Sequence, residues 1–300
     1  MAAPKKTMRA LQYDKYGGGA EGLKHVEVPV PSPNKGEVLL KLEAASINPI
    51  DWKIQKGMVR PFLPRKFPFI PVGDISGEVV ELGSGVTNFK PGDKVISISF
   101  ATGGGLAEYA VAPASLTVAR PPEVSAAEGA SLPTAASTAL QQLKAAGPVG
   151  HQVRRGGALR DGHPWSVFAP VLADRATVVD VTPGIAAAAK SFLQKVTFAK
   201  KRLVPLVLIP KKEEMEWLVD MTRQGKLKTV VDSRYPLSRA QEAWAKSIEG
   251  TPPARSLWKW AAQSEPASAC MMRNIVLVDS IGRILCVGLC GTEYSGNKKE

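Results

Sequence analysis

The sequence predicts a β-rich unit followed by an α/β unit, and three observations carry that expectation. Short β-prone runs separated by turn residues fill the first 120 positions. Helix-start patterns begin only at Ser125. The 300 residues are 44% apolar and include 27 glycines and 24 prolines, which suits one large or two ordinary domains rich in turns.

The strands come first. EVLLKLEAASI (37–47) follows the turn residues PSPNKG and is β-prone. GDISGEVVELGSGV (73–86) and GDKVISISF (92–100) repeat the pattern, and LAEYAVAPASLTVARP (106–121) closes it after three consecutive glycines. Strands at that spacing belong to a barrel or a sandwich. Ser125-Ala-Ala-Glu128 is a capping box, in which each side chain satisfies a free amide at the other end. A second box, Ser238-Arg-Ala-Gln241, opens a helix that Gly250 can end. Met215, Leu218, Val219 and Thr222 recur at helical spacing and stop at Gly225. Residues 253–300 have a different texture, carry all three cysteines, and stay unassigned.

Charge and cysteine usage narrow the function classes. The formal net charge is +12, yet the basic residues are scattered and no aromatic platform interleaves with them, which argues against nucleic acid. An ordinary solvated surface and peripheral contact with an anionic membrane both remain open. LVPLVLIP (203–210) is far short of the ~20 apolar residues of a spanning helix. The first residues lack the apolar core of a secretory signal and the pattern of an ordinary transit peptide, so import would need an atypical signal. Cys270, Cys286 and Cys290 imply no disulfide framework, and with no histidine after His163 they make a poor zinc set.

Two stretches carry a family resemblance. PVGDISGEVVELGSGVTNFKPGDKV (71–95) resembles the GroES-like barrel of medium-chain dehydrogenases/reductases, and SINPIDWKIQKGMVRPFLPRKFPFIP (46–71) resembles the zinc-independent quinone oxidoreductases among them, most closely the plant chloroplast-envelope homologues. Residues 164–184 and 203–250 resemble the later half of the same proteins. The resemblance implies a GroES-like β-barrel catalytic domain over 8–140, a truncated Rossmann-like segment over 141–210, and a return to the catalytic domain over 211–252. It also implies NADPH as cofactor and a quinone or an α,β-unsaturated carbonyl as substrate. Localisation follows as chloroplast, at the envelope, with cytoplasm as the alternative. The zinc-dependent branch places Cys and His where this chain has Asn48 and Asp74, so no metal site is expected.

The nucleotide half is short of parts. Gly147-Pro-Val-Gly150-His151 looks like the end of the phosphate-binding glycine loop, without a strand before it or a helix after it. Fewer than 40 residues separate Leu140 from Val178, whereas a single βαβ unit takes roughly 30 or more and a dinucleotide domain needs two βαβαβ halves. About four strands and their helices are missing by that count, which makes 144–163 a junction between two family segments.

Each candidate residue has a structural reading beside the functional one. Asn48 precedes Pro49 and could simply start a turn; the matching Asn of relatives lies beside the nicotinamide. Asp51 could cap a short helix closed by Gly57, and Lys53 could be a solvated lysine. The functional reading makes Lys53 a cation that stabilises negative charge on the substrate oxygen, with Lys53 or an ordered water returning a proton to the α-carbon, and keeps Asp51 as a catalytic candidate beside it. Thr138 could back-bond within a helix or lie near the nicotinamide amide. Gly147, Gly150, Pro183 and Gly184 complete the cofactor set that the resemblance implies. Three functions are therefore carried forward: a reductase impaired by truncation, a non-catalytic membrane-peripheral or protein-interaction module, and a translated chain that joins segments not contiguous in the natural message.

Overall fold

The computed structural model describes residues 6–146, 177–180, 185–249 and 272–275. A hairpin of β1 (Thr7–Gln12) and β2 (Lys24–Pro29) precedes the runs named from the sequence. The main sheet follows: β3 (Glu37–Ser46), β4 (Asp74–Leu82), β5 (Lys94–Ile98), β6 (Tyr109–Pro113) and β7 (Thr117–Ala119). Its order is β6-β3-β4-β5-β7 and every pairing is antiparallel. Isolated bridges at Ala10–Ala107 and Tyr13–Phe69 tie the hairpin to this sheet and curl the whole into a partly closed barrel. The β3–β4 register shifts twice, and a Cβ on Gly77 would stand 2.2 Å from the carbonyl oxygen of Lys41, so only glycine admits that approach of the two backbones.

Alternation along β5 shows why the barrel needs the rest of the chain. Val95 points into the barrel beside Val38, Leu40, Ile75 and Val79. Ile96 and Ile98 point the other way, into a second core with Val118 and Leu132. That second core is completed from far along the sequence by Met215, Leu218 and Val219 of α5 (Lys212–Arg223), a helix whose apolar stripe was legible as a helical repeat. The strand β10 (Leu227–Val230) adds Leu227 to it.

Helices around the site form largely where the sequence places them. Pro49–Lys56 is α1, and Gly57 ends it at φ 85°, a left-handed conformation that glycine adopts without strain. The Ser125 box is present: the Glu128 amide donates to Ser125 Oγ at 3.3 Å and the Ser125 amide to Glu128 Oε2 at 3.0 Å. The helix it starts is short, however, α2 spanning only Ala126–Ala130 before a π-helical turn over Leu132–Ala136 leads into α3 (Ser137–Ala146). Pro133, with no amide to donate, sits in that wide turn. The second box needs correction. A 3-10 turn over Leu237–Arg239 precedes α6 (Ala240–Glu249), and Gln241 donates its side-chain amide to the Leu23 carbonyl at 2.6 Å, back to the barrel.

The α/β remainder is thin. β8 (Thr177–Asp180) and β9 (Arg202–Pro205) form a two-stranded parallel sheet, with α4 (Ile185–Val196) between them in sequence. Its exposure is inverted. Ser191 and Gln194 are buried, Gln194 accepting the Leu203 amide at 2.7 Å, while Phe192 is 71% exposed and nearby Phe198 87% exposed. A further strand, β11 (Met272–Ile275), pairs in parallel with β10; the rest of the divergent tail lies outside the described residues.

Trp244 of α6 is fully buried among Leu11, Tyr13, Leu23 and Phe69, and its Nε1 donates to Gln55 Oε1 at 3.1 Å. Truncation there removes a large apolar group and leaves the Gln55 acceptor unpaired. Trp244→Ala should therefore cost about 3–5 kcal/mol, read as a lowered urea midpoint by far-UV circular dichroism, with Ser247→Ala on the same helix as a near-neutral control.

Candidate active site

Asn48 is the N-cap of α1, 1% exposed, and it joins three elements. Its backbone amide donates to Asp51 Oδ2 at 2.6 Å, so Asp51 reaches back from the third helical position as half of a capping box. Its side-chain amide donates to the Ser46 carbonyl at 3.0 Å and to Asp74 Oδ2 at 2.9 Å. Thr134 closes the arrangement from the π turn: its amide donates to Asp74 Oδ2 at 2.9 Å and its hydroxyl to Asp74 Oδ1 at 2.6 Å. The wide turn is what releases that amide from the helical ladder, and such turns recur at functional sites.

Two carboxyl groups are thus buried within reach of one asparagine. Desolvation pushes Asp51 well above the usual carboxylate range, with the neighbouring Asp74 charge adding to it against the donated backbone amides. Asp74 rises to about 7, because desolvation outweighs the bonds from Thr134 and Asn48. Tyr13 is also raised, first by burial and then by the charge of Asp51, which keeps its phenol protonated. Three buried polar atoms around this cluster have no protein partner: Asn48 Oδ1, Tyr13 Oη and Trp52 Nε1. Unsatisfied groups of both kinds, acceptor and donor, suit a ligand that carries an amide or a carbonyl.

The structure separates residues that the sequence reading grouped. Lys53 is not a solvated lysine; it is only 6% exposed and has interaction partners of its own, with its Nζ 5.7 Å from the Trp52 ring centroid. Two positions on from Asp51, it stands about 200° around the helix, so the two side chains serve different walls of a helix buried on most of its circumference. Thr138 back-bonds, its hydroxyl donating to the Thr134 carbonyl at 2.6 Å. Gly147, Gly150, Pro183 and Gly184 lie outside the described residues. Asp74 and Thr134 were missed as site residues. The signal for Asp74 was its place opposite Asn48 in the metal-dependent pattern, and Thr134 had none, since only the fold brings residues 60 positions apart together. An open hollow of about 940 Å³, ringed by Lys6, Lys41, Glu43, Glu108, Arg234 and Lys246, includes none of Asn48, Asp51, Lys53 or Asp74.

Comparison with known proteins gives this arrangement relatives. Residues 34–122 match the alcohol dehydrogenase GroES-like domain, and residues 161–252 match a domain described as zinc-binding dehydrogenase. The chloroplast envelope quinone oxidoreductase homolog of Arabidopsis thaliana is 47% identical over 316 residues, covering 82% of this chain and 96% of that protein. A chloroplastic quinone-oxidoreductase of Triphysaria versicolor is 47% identical over 317 residues with the same coverage. Among solved structures, the quinone oxidoreductase from Coxiella burnetii superposes with a TM-score of 0.65 at 26% identity, over 79% of this chain and 94% of that one. The Escherichia coli quinone oxidoreductase complexed with NADPH shares the fold at a TM-score of 0.63 and 19% identity, over 80% and 95% of the two chains.

Burial of the carboxyl pair sets a pH dependence. A carboxyl raised in the folded state favours folding while protonated, so its contribution is complete below the unfolded value and is lost as pH rises through the folded one. For Asp74 that window runs from 3.8 to about 7. The urea midpoint should fall across it, with a slope of at most about 1.4 kcal/mol per pH unit per group. Asp74→Asn should flatten the fall; an unchanged slope in that variant would show that Asp74 ionises freely.

Proposed function

The chain belongs to the medium-chain dehydrogenase/reductase family, alongside the chloroplast quinone oxidoreductase homologues, and from that premise we propose that it is built as an NADPH-dependent reductase of quinones or α,β-unsaturated carbonyls whose nucleotide-binding half is cut short. The observation that carries the reading is the buried Asn48–Asp51–Asp74 cluster with its unpartnered asparagine carbonyl. Asn48 and Thr138 fit the nicotinamide end of the cofactor, Asn48 Oδ1 as an acceptor and the Thr138 oxygen as one too, its proton being given to Thr134. When bound, NADPH supplies the hydride of the reduction. Reduction at the β-carbon leaves negative charge on the substrate oxygen, and Lys53 is the cation assigned to it. Lys53 or an ordered water returns a proton to the α-carbon, while Asp51, whose carboxyl burial raises well above its ordinary range, shapes the neighbouring wall of the site. Asp74 acts through Asn48 as a positioning residue.

Zinc is not part of this reading. Asn48 and Asp74 occupy the positions of two ligands in the metal-dependent branch, and here they bond to each other. Two further observations support the truncation. Coverage of 82% of 300 residues is about 246, so about 70 of the 316 positions aligned with the Arabidopsis relative carry no residue of this chain. The inverted α4, apolar outward and polar inward, is what remains when the layer that covered a helix is removed. The domain limits 8–140, 141–210 and 211–252 follow from the same reading, as does a plastid location at the envelope.

Titration calorimetry with NADPH tests the truncation: the chain as it stands should show no micromolar binding, because the sequence between Leu140 and Val178 is too short for the phosphate-binding strand and helix and the units after them. One-to-one micromolar binding would mean that an intact nucleotide site exists. Inserting the family's missing strands and helices between Leu143 and Pro148 should restore binding. In that restored protein Lys53→Met should lower kcat about 100-fold with a smaller change in KM, since the charge it meets develops chiefly in the transition state. Equal kcat would remove Lys53 from the reaction.

A further inference from the structure

The main sheet has an edge that the described strands leave open. β3 pairs with β4 as far as Ser46, but with β6 only as far as Lys41. The Leu42 amide still reaches the Glu108 carbonyl at 2.9 Å; beyond it, residues 43–46 have no strand partner on that side among the described residues. An unpaired row of backbone donors and acceptors is a template for one more strand. Facing that edge is the segment that continues β10. The open hollow of about 940 Å³ lies between the two, with residues 41–47 on one wall and residues 230–237 on the other.

We propose that this hollow is the seat of the chain's own tail: residues 276–279 continue β11 through it as a strand, bonded to residues 231–234 on one side and to the open half of β3 on the other. The first support is continuity with a ladder already formed. β11 pairs with β10 in parallel, Leu227 opposite Met272 and Val230 opposite Ile275. Parallel partners advance in the same direction, so a chain leaving Ile275 in register enters the hollow beside the chain leaving Val230. The second support is composition. Val276, Leu277 and Val278 are β-prone, and no glycine or proline follows before Gly282, so a strand can run the length of the open half of β3. The third is charge. Asp232 is taken by Lys246, whereas Arg234 on the same wall has no acidic partner among the described residues. Carrying the β10–β11 register four positions on sets Asp279 opposite Arg234. The seat also bears on the buried cluster. β3 ends at Ser46, whose carbonyl accepts the Asn48 side-chain amide, so a strand along β3 holds the residue from which Asn48 is positioned. The divergent tail is then the last strand of the barrel sheet and not an appendage.

Disulfide trapping on the full chain tests the seat without cofactor or substrate. In a chain whose Cys270, Cys286 and Cys290 are changed to serine, Arg234→Cys with Asp279→Cys puts two thiols on facing strand positions, inside the Cα separation of about 4.4–6.8 Å that a disulfide spans. Mild oxidation should cross-link the pair within one chain, read as faster migration on a non-reducing gel and a peptide that joins the two positions. Lys90→Cys with Asp279→Cys, the former exposed on the turn at the other end of β4 from Asp74, should not cross-link. A second variant reads the ladder itself. With a strand on either side, a proline at position 277 loses a ladder bond whichever way its amide faces. Leu277→Pro should therefore lower the folding equilibrium constant at least about tenfold, read as a lower urea midpoint, while Asn297→Pro in the same tail leaves it unchanged. The proposal falls if the 234–279 pair does not cross-link, or if Leu277→Pro unfolds like the parent. It falls equally if the bond joins two chains in a covalent dimer, which would seat a second copy's tail in the hollow. Equal cross-linking of the Lys90 pair would sink it too, since the tail would then have no single seat.

Discussion

The side chain of Asn48 holds the barrel and its site in one arrangement. Asn48 is the N-cap of α1, its backbone amide donates to Asp51 and its side-chain amide donates to Asp74 on β4, so helix, strand and π turn meet at one buried residue. Buried carboxyl groups cost several kcal/mol unless their oxygens are bonded or protonated. This site uses both remedies: Asp74 takes three donors, and both carboxyls are raised by desolvation.

The rest of the barrel's stability is long-range. Ile96 and Ile98 need Met215, Leu218 and Val219, and Leu11 and Tyr13 need Trp244. These partners come from residues 215–244, far along the chain from the barrel strands they pack against. The α/β part does not share that support. A parallel sheet is stable when both faces are covered, and beside the described strands β8 and β9 Phe192 of α4 and Phe198 after it face outward.

The 57–68 loop joins the two elements that carry the buried carboxyls. Its two ends are the helix of Asp51 and Lys53 and the strand of Asp74.

Much of the architecture was legible before the fold was seen. The strand runs from 37 to 121, the Ser125 cap and the α5 stripe all follow from local patterns of turn residues, periodicity and length, which short-range physics fixes. Asn48, Asp51 and Lys53 could be named from their neighbours in sequence, but what they do could not. The bond between Asn48 and Asp74, the burial that raises Asp51, the release of the Thr134 amide and the opposite facing of Lys53 are set by where β4 and the π turn stop against α1. Local sequence chose the elements; desolvation and hydrogen-bond geometry exist only once residues 26 and 60 positions apart are brought into contact, and that the tertiary structure alone decided.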